Sequence, residues 1–326
     1  AQNMVLREKL FVPTDAAGTQ RHDGVSTPWP LPLPSGEDSG GSGGKAFAPG
    51  EVIRAGEGES LALFDLEELV GELGQRIFVA EVVAELARDR PVEAVGMSVP
   101  AVARATAPVA AARLVSETAW SVKTAARFAL DCVDHVLLDA ASVRLPSGVS
   151  FADIVTAARS HLDEGGSDGG PGEALGLVQR FSRLALARRL RRESDEVADL
   201  AFTLTVEDEA ADLDAFDDPA FGAAAALRDA VLAAVEAIRH DAMPRMFEAE
   251  SARYESEALP GAGGGIVGSP WGSFVSGSRR GAVPAWVAAR DAADRAREVV
   301  SDDEGSEAAR AERAWQGDTL ASHLGL

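Results

Sequence analysis

Between residues 61 and 88 the apolar positions Leu66, Leu69, Val70, Leu73, Ile77 and Ala80 recur at steps of three and four, which places them on one side of a helix. Gly71 and Gly74 interrupt this stripe and weaken it. "PVEAVGMSVP" then reads as a connector, with Ser98 able to cap the next helix and Pro100 tolerated in its first turn. A longer helical tract is predicted from about Pro100 to Ser142, broken or kinked near Pro108. Its second half carries an apolar stripe of Val122, Ala125, Ala126, Ala129, Val133, Val136 and Leu137. After "RLPSGVS", Ser150 has the position of a cap with Asp153 three residues on, opening a short helix that ends near His161.

Beyond that point a helix is expected from Ala174 through the arginine-rich stretch 180–200. Another covers about Pro219 to Glu257 with a kink at Pro244, and "PAWVAARDAADRAREVV" supplies the last. In "LAFTLTVE", Phe202, Leu204 and Val206 alternate with Thr203 and Thr205, so a strand over 201–206 stays open. No repeat of fixed period is present.

The first 55 residues have a different texture. In "STPWPLPLPSGEDSGGSGG" proline alternates with bulky residues before a Gly/Ser run, a composition that favours extended backbone. This reads as a linker, or as an arm that packs Trp29, Leu31 and Leu33 onto its own body or onto a neighbour. The expected fold class is therefore all-α, a multi-helix bundle-like body with an extended Pro/Gly-rich N-terminal arm. Its expected parts are the arm 1–55, a helical subdomain 56–162, a glycine-rich hinge 163–173, and a second helical subdomain 174–326 with a glycine-rich loop at 260–281.

Composition supports helices. Of 326 residues 46% are hydrophobic but only 6% aromatic, so alanine carries much of the apolar content. Alanine loses no side-chain entropy on ordering and lets helices approach closely. Charge is lopsided, with 52 carboxylates against 31 lysines and arginines and a formal net charge of -21. Such a surface repels phosphate backbones and anionic lipid, so no nucleic-acid partner is expected. The single cysteine, Cys132, excludes an internal disulfide and any multi-thiolate metal site, and is expected to be buried and inert. The weakly polar stretch from Met97 contains Arg104, Arg113 and two prolines, so no membrane insertion is expected. "AQNMVLREKLFVP" does not look like a signal peptide, and a cytoplasmic setting follows as the expectation.

The candidate sites are few. "RFSRLALARRLRRESDEVADL" holds six arginines between Arg180 and Arg192. On a helix, Leu177, Phe181 and Leu184 begin an apolar face that Arg188 and Arg191 continue, suiting an acidic groove in this chain or a partner. Glu193, Asp195 and Glu196 follow four residues behind Arg189, Arg191 and Arg192, so much of the patch answers its own charge. The acidic segment Val206 to Phe221 lacks the ligand spacing and central glycine of a calcium loop and reads as solvated or helix-capping carboxylates.

Asp131 with His135, and Glu236 with His240, share helical faces and could each supply two ligands, or a base with its orienting carboxylate. Asp131 and His135 lie opposite the apolar stripe, where solvent is expected. No HExxH or paired Glu-x-x-His pattern accompanies them, so neither a metal nor a cofactor is expected. Gly263, Gly265 and Gly268 match a bare dinucleotide spacing, but Ser269-Pro270 follows where a helix should begin. Trp271 and Phe274 in that loop are candidates for a subunit contact.

These readings converge on a non-catalytic helical structural or assembly protein. It would bind a protein partner, or form a homo-oligomer, through Trp29, Leu31, Leu33, Arg188, Arg191, Trp271 and Phe274. The alternative is a helical enzyme acting on a small molecule, its pocket assembled from scattered acidic residues and histidines such as Asp131, His135, Glu236 and His240.

Overall fold

The computed structural model describes residues 9–34, 47–85, 109–137, 150–163, 231, 233–235, 237–238 and 284–326. It overturns the all-α expectation. The fold is mixed, with three β-sheets built before residue 118 and helices mostly after it. By its internal contacts the chain divides into two units, one of Ala1–Ser121 with Glu304–Leu326 and one of Val122–Asp303.

The first unit begins where an extended arm was expected. Strand β1 (Leu10–Thr14) leads into the hairpin β2 (Thr19–His22) and β3 (Val25–Pro28). The turn between them is Asp23-Gly24, with φ of 48° and 76°. Positive φ at both central residues is the mirror-image turn that matches strand twist, and Asp-Gly is its usual sequence. Short strands β4 (Leu33–Pro34), β5 (Phe47–Ala48) and β6 (Ile53–Arg54) follow, then helix α1 (Leu66–Val70), and the long strands β7 (Arg76–Glu85) and β8 (Val109–Glu117).

The main sheet has the order β1-β7-β8-β6, with antiparallel pairs. Its open sides are joined by the segment Leu61–Phe64. Leu61 donates its N–H to the Val109 carbonyl on β8, at 2.9 Å, and Phe64 exchanges two backbone bonds with Phe11 on β1, at 2.8 and 3.0 Å. Register shifts at Val79/Ala80, Val82/Ala84 and Ala84/Glu85 interrupt the β7–β8 ladder, and bulges of this kind bend and twist a strand so that a sheet can curl. The result is a small barrel around Val12, Trp29, Leu61, Leu63, Phe78, Val109, Ala112 and Leu114.

Trp29 is thus part of the core. Its indole N–H donates to Gln20 Oε1 at 3.0 Å, and Gln20 Nε2 donates to the Ala62 carbonyl at 2.8 Å. One buried amide therefore ties β2, the end of the hairpin and the closing segment together, satisfying polar groups that burial would otherwise penalise. Leu31 packs against the same core, while Leu33 is 70% exposed.

On the other face of the sheet Phe11 and Ile77 are fully buried. Helix α1 lies near β1 and is opened by a capping box, in which Asp65 Oδ1 accepts from Glu68 N–H and Glu68 Oε2 accepts from Asp65 N–H. Helix α5 (Glu307–His323) packs against α1, and Gly317 permits the approach, since a Cβ there would sit 3.3 Å from Glu67 Cγ. Arg76 on β7 holds Glu117 on β8 through two bonds of 2.7 and 2.8 Å, and its guanidinium lies over the Phe78 ring. The bonds to Glu117 raise the proton affinity of Arg76 further, against the cost of burying it.

The second unit is helical where described. Helix α2 (Val122–Leu137) packs against α3 (Phe151–Asp163) and against α4 (Ala285–Val300). The sequence stripe on α2 is buried from Ala125 to Leu137, together with Phe128, Leu130 and Cys132. Helix α4 buries Ala285, Ala288, Ala289, Ala292, Ala293 and Ala296, a face of small side chains suited to close contact. The cap of α3 takes the expected form, with Asp153 N–H donating to Ser150 Oγ and Ser150 N–H donating to Asp153 Oδ2.

Three helical expectations fail in detail. The stripe 61–88 contains only the five-residue α1, and its C-terminal part is β7. The tract 100–142 contains β8 before α2 begins. The helix after Pro284 is followed by α5.

Candidate functional site

An open cleft of about 400 Å³ lies among the described residues of the first unit, lined by His22, Ser60, Leu61, Ala62, Leu63, Phe64, Glu68, Glu72 and Val109. Its position follows from local chain chemistry. The Asp-Gly turn ends β2 at His22, the barrel-closing segment supplies residues 60–64, and the capped helix α1 with its C-terminal turn supplies Glu68 and Glu72.

His22 is the centre of the polar side. Its Nε2 lies 3.3 Å from Asp23 Oδ2 and its Nδ1 lies 3.5 Å from Glu72 Oε2, ion pairs that exist when the ring is protonated. The imidazole meets Phe64 edge to face, with centroids 5.1 Å apart. Ser60 Oγ accepts the Val109 N–H at 2.9 Å and donates to the Leu61 carbonyl at 3.3 Å.

Glu68 lies at the rim. Partial loss of water around its carboxyl pushes its pKa above the usual carboxylate range. The Asp65 N–H opposes that shift, while the charges of Asp65 and Glu67 add to it. Lost water is the largest of these effects, and the negative charges of Asp65 and Glu67 reinforce it.

The residues singled out from sequence fall elsewhere. Asp131 pairs with Arg159 at 2.8 Å, and Arg159 also reaches Asp134 at 3.0 Å, joining α2 to α3. Burial of Arg159 opposes its charge, but bonds and attraction to Asp131 and Asp134 prevail and raise its proton affinity. His135 is exposed one turn beyond Asp131. Cys132 between them is buried. Glu236, His240, Arg188, Arg191, Trp271 and Phe274 lie outside the described residues, as do the strand candidate 201–206, the acidic segment 206–221 and the glycine-rich loop 260–281. Trp29 and Leu31 are built into the barrel, and of the three arm residues only Leu33 offers an exposed side chain.

His22, Glu68 and Glu72 were not singled out from sequence. The signals available were the Asp-Gly dipeptide after His22 and the Asp65/Glu68 capping box. Both describe local geometry, and neither discloses that the two meet across the barrel's end. Among the described residues no group of three or more His, Cys, Asp or Glu side chains could hold a metal ion. Among them also, no helix is long and apolar enough to cross a membrane. No protein-family model matches the chain, and neither does any curated protein or any solved structure.

Proposed function

We propose that the chain is a non-catalytic protein that binds other proteins, and that the cleft at the barrel's end is its contact surface. The observation that carries this reading is the state of the cleft's polar side chains. His22 faces a carboxylate at each ring nitrogen, Ser60 Oγ is bonded as both donor and acceptor, and Glu68 closes the α1 capping box. General acid–base or nucleophilic chemistry needs such groups directed at a substrate. Here they hold the hairpin, the closing segment and α1 in place. An open cleft with apolar side chains behind a charged rim is the pattern of a recognition surface.

No nucleic acid is expected as the partner, because the net charge of -21 opposes a phosphate backbone. The cytoplasmic setting belongs to the same proposal and rests on the lone, buried Cys132.

The test is native mass spectrometry of the protein isolated from its own source, with every bound species identified. The reading expects a stoichiometric polypeptide partner that is lost when Glu68 and Glu72 are replaced by glutamine. A stoichiometric small molecule, with no polypeptide attached, would overturn it in favour of an enzyme.

A further inference from the structure

The same cleft carries a statement about its occupant. Leu61, Leu63, Phe64 and Val109 back it with apolar surface, and Glu68 and Glu72 stand on its rim. Outside the lining, Asp23 pairs with His22 from the hairpin turn, and the charges of the cap residue Asp65 and of Glu67 act on Glu68. His22, beside Asp23 and Glu72, supplies positive charge only when protonated.

We propose that the cleft docks a basic segment of a partner polypeptide. An arginine or lysine head group would lie against Glu68 and Glu72, with an adjoining apolar side chain toward Leu61 and Phe64. The proposal rests on the protein-binding reading and deepens it.

Two arguments fix the occupant's chemistry. The first is charge complementarity. An anionic segment would meet like charge on the rim at Glu68 and Glu72, and a neutral one would gain nothing from it. The chain's net charge of -21 favours the approach of a basic partner at long range. The second is the condition of Glu68, whose charge is disfavoured by lost water and by Asp65 and Glu67. A cation placed beside it relieves that cost. Long basic side chains also bring an aliphatic stem, which suits the apolar backing as a free inorganic cation would not.

The experiment titrates the ¹⁵N-labelled full chain with three probes and follows amide shifts. The probes are a short arginine–leucine peptide, its glutamate–leucine counterpart, and spermine as a polycation without apolar side chains. The expected result is saturable binding of the arginine peptide, with shifts concentrated at residues 20–23, 60–64 and 68–72. Affinity should weaken about tenfold or more in the E68Q/E72Q variant, and by a similar factor on raising salt from roughly 0.05 to 0.5 M.

Equal binding of the glutamate peptide at the same amides would overturn the basic occupant while leaving a polypeptide-binding role standing. Spermine binding as tightly as the arginine peptide would overturn the polypeptide in favour of a free polycation. No shift at the cleft with either peptide, together with a native sample that carries no polypeptide, would overturn both readings. If the double variant loses its dispersed spectrum, the salt dependence of the unaltered chain decides, and binding insensitive to salt overturns the proposal.

Discussion

Replacing Trp29 by alanine separates an integral first strand region from a passive arm. Trp29 is 4% exposed and belongs to the core cluster of the barrel. Truncating a buried tryptophan to alanine costs about 3–5 kcal/mol, since the lost transfer energy is joined by the cavity left behind. The same change removes the 3.0 Å bond to Gln20 Oε1 and leaves that acceptor buried, adding roughly 1 kcal/mol. Partial collapse of the site offsets part of this, so a loss of about 4 kcal/mol is expected. With an m-value of roughly 1.5 kcal/mol/M, the urea midpoint of the first unit falls by about 2–3 M.

The assay is urea unfolding of the full chain followed by hydrogen exchange, with protection read at residues 10–14 and 76–80. These are the strands that β1 and β7 contribute to the pairing Leu10↔Ala80 to Thr14↔Arg76. W29A should open both strands together at much lower urea, while Q20L should cost less and in the same unit. A W29A midpoint within about 0.3 M of the parent, the shift expected of a surface change, would refute the packing described for the N-terminal region.

Other expectations are as direct. Glu68 has its pKa raised, so its protonated form is favoured by folding. The stability it contributes is present below the ordinary carboxyl range and is lost as pH rises through the raised value, and E68Q should therefore equal or exceed the parent at pH 7 while gaining less on acidification toward pH 4.5. Urea midpoints across that range check this, and a destabilised E68Q at neutral pH would contradict it. Gly74 has no room for a side chain, because a Cβ would sit 2.8 Å from the Thr14 carbonyl oxygen and 2.9 Å from its nitrogen. G74A should cost about 1–3 kcal/mol by thermal or urea unfolding, and a neutral result would contradict the close approach of that turn to β1. Arg159 spans Asp131 and Asp134 at the partly exposed α2–α3 contact, so R159M should cost roughly 0.5–1.5 kcal/mol and the loss should shrink in high salt.

What the sequence disclosed depended on how each element is buried. The α2 stripe is legible because one side of that helix is buried and the other carries Asp131, Asp134 and His135. The α3 cap is legible because Ser150 and Asp153 act within three residues of each other. By contrast β8 buries the adjacent Ala111 and Ala112, which point to opposite faces, so its apolar residues form a run without the alternation that marks a half-buried strand. Its alanines then look helical. The β-branched and aromatic run Ile77, Phe78, Val79, Val82 and Val83 was the better guide to β7, but Leu66, Leu69, Val70 and Leu73 immediately before it continue into it at helical steps.

The Pro-rich stretch around Trp29 illustrates a different limit. Alternating prolines dictate extended backbone, and extended backbone is equally the geometry of a tether and of a strand. Only long-range partners decide, here Gln20 for the Trp29 indole and Gly18 for the Trp29 N–H. The cleft was illegible for the same reason. Residues 22, 60–64 and 68–72 become neighbours through barrel closure at Phe11–Phe64 and Leu61–Val109, pairings that no local spacing announces.

The docking reading is tested most directly by hydrogen–deuterium exchange on the full chain with and without the arginine–leucine peptide. New protection is expected at residues 20–23, 60–64 and 68–72, with the faces of α2 and α3 around Asp131, Asp134 and Arg159 unchanged. Protection confined to those helices, with the cleft exchanging as before, would contradict it.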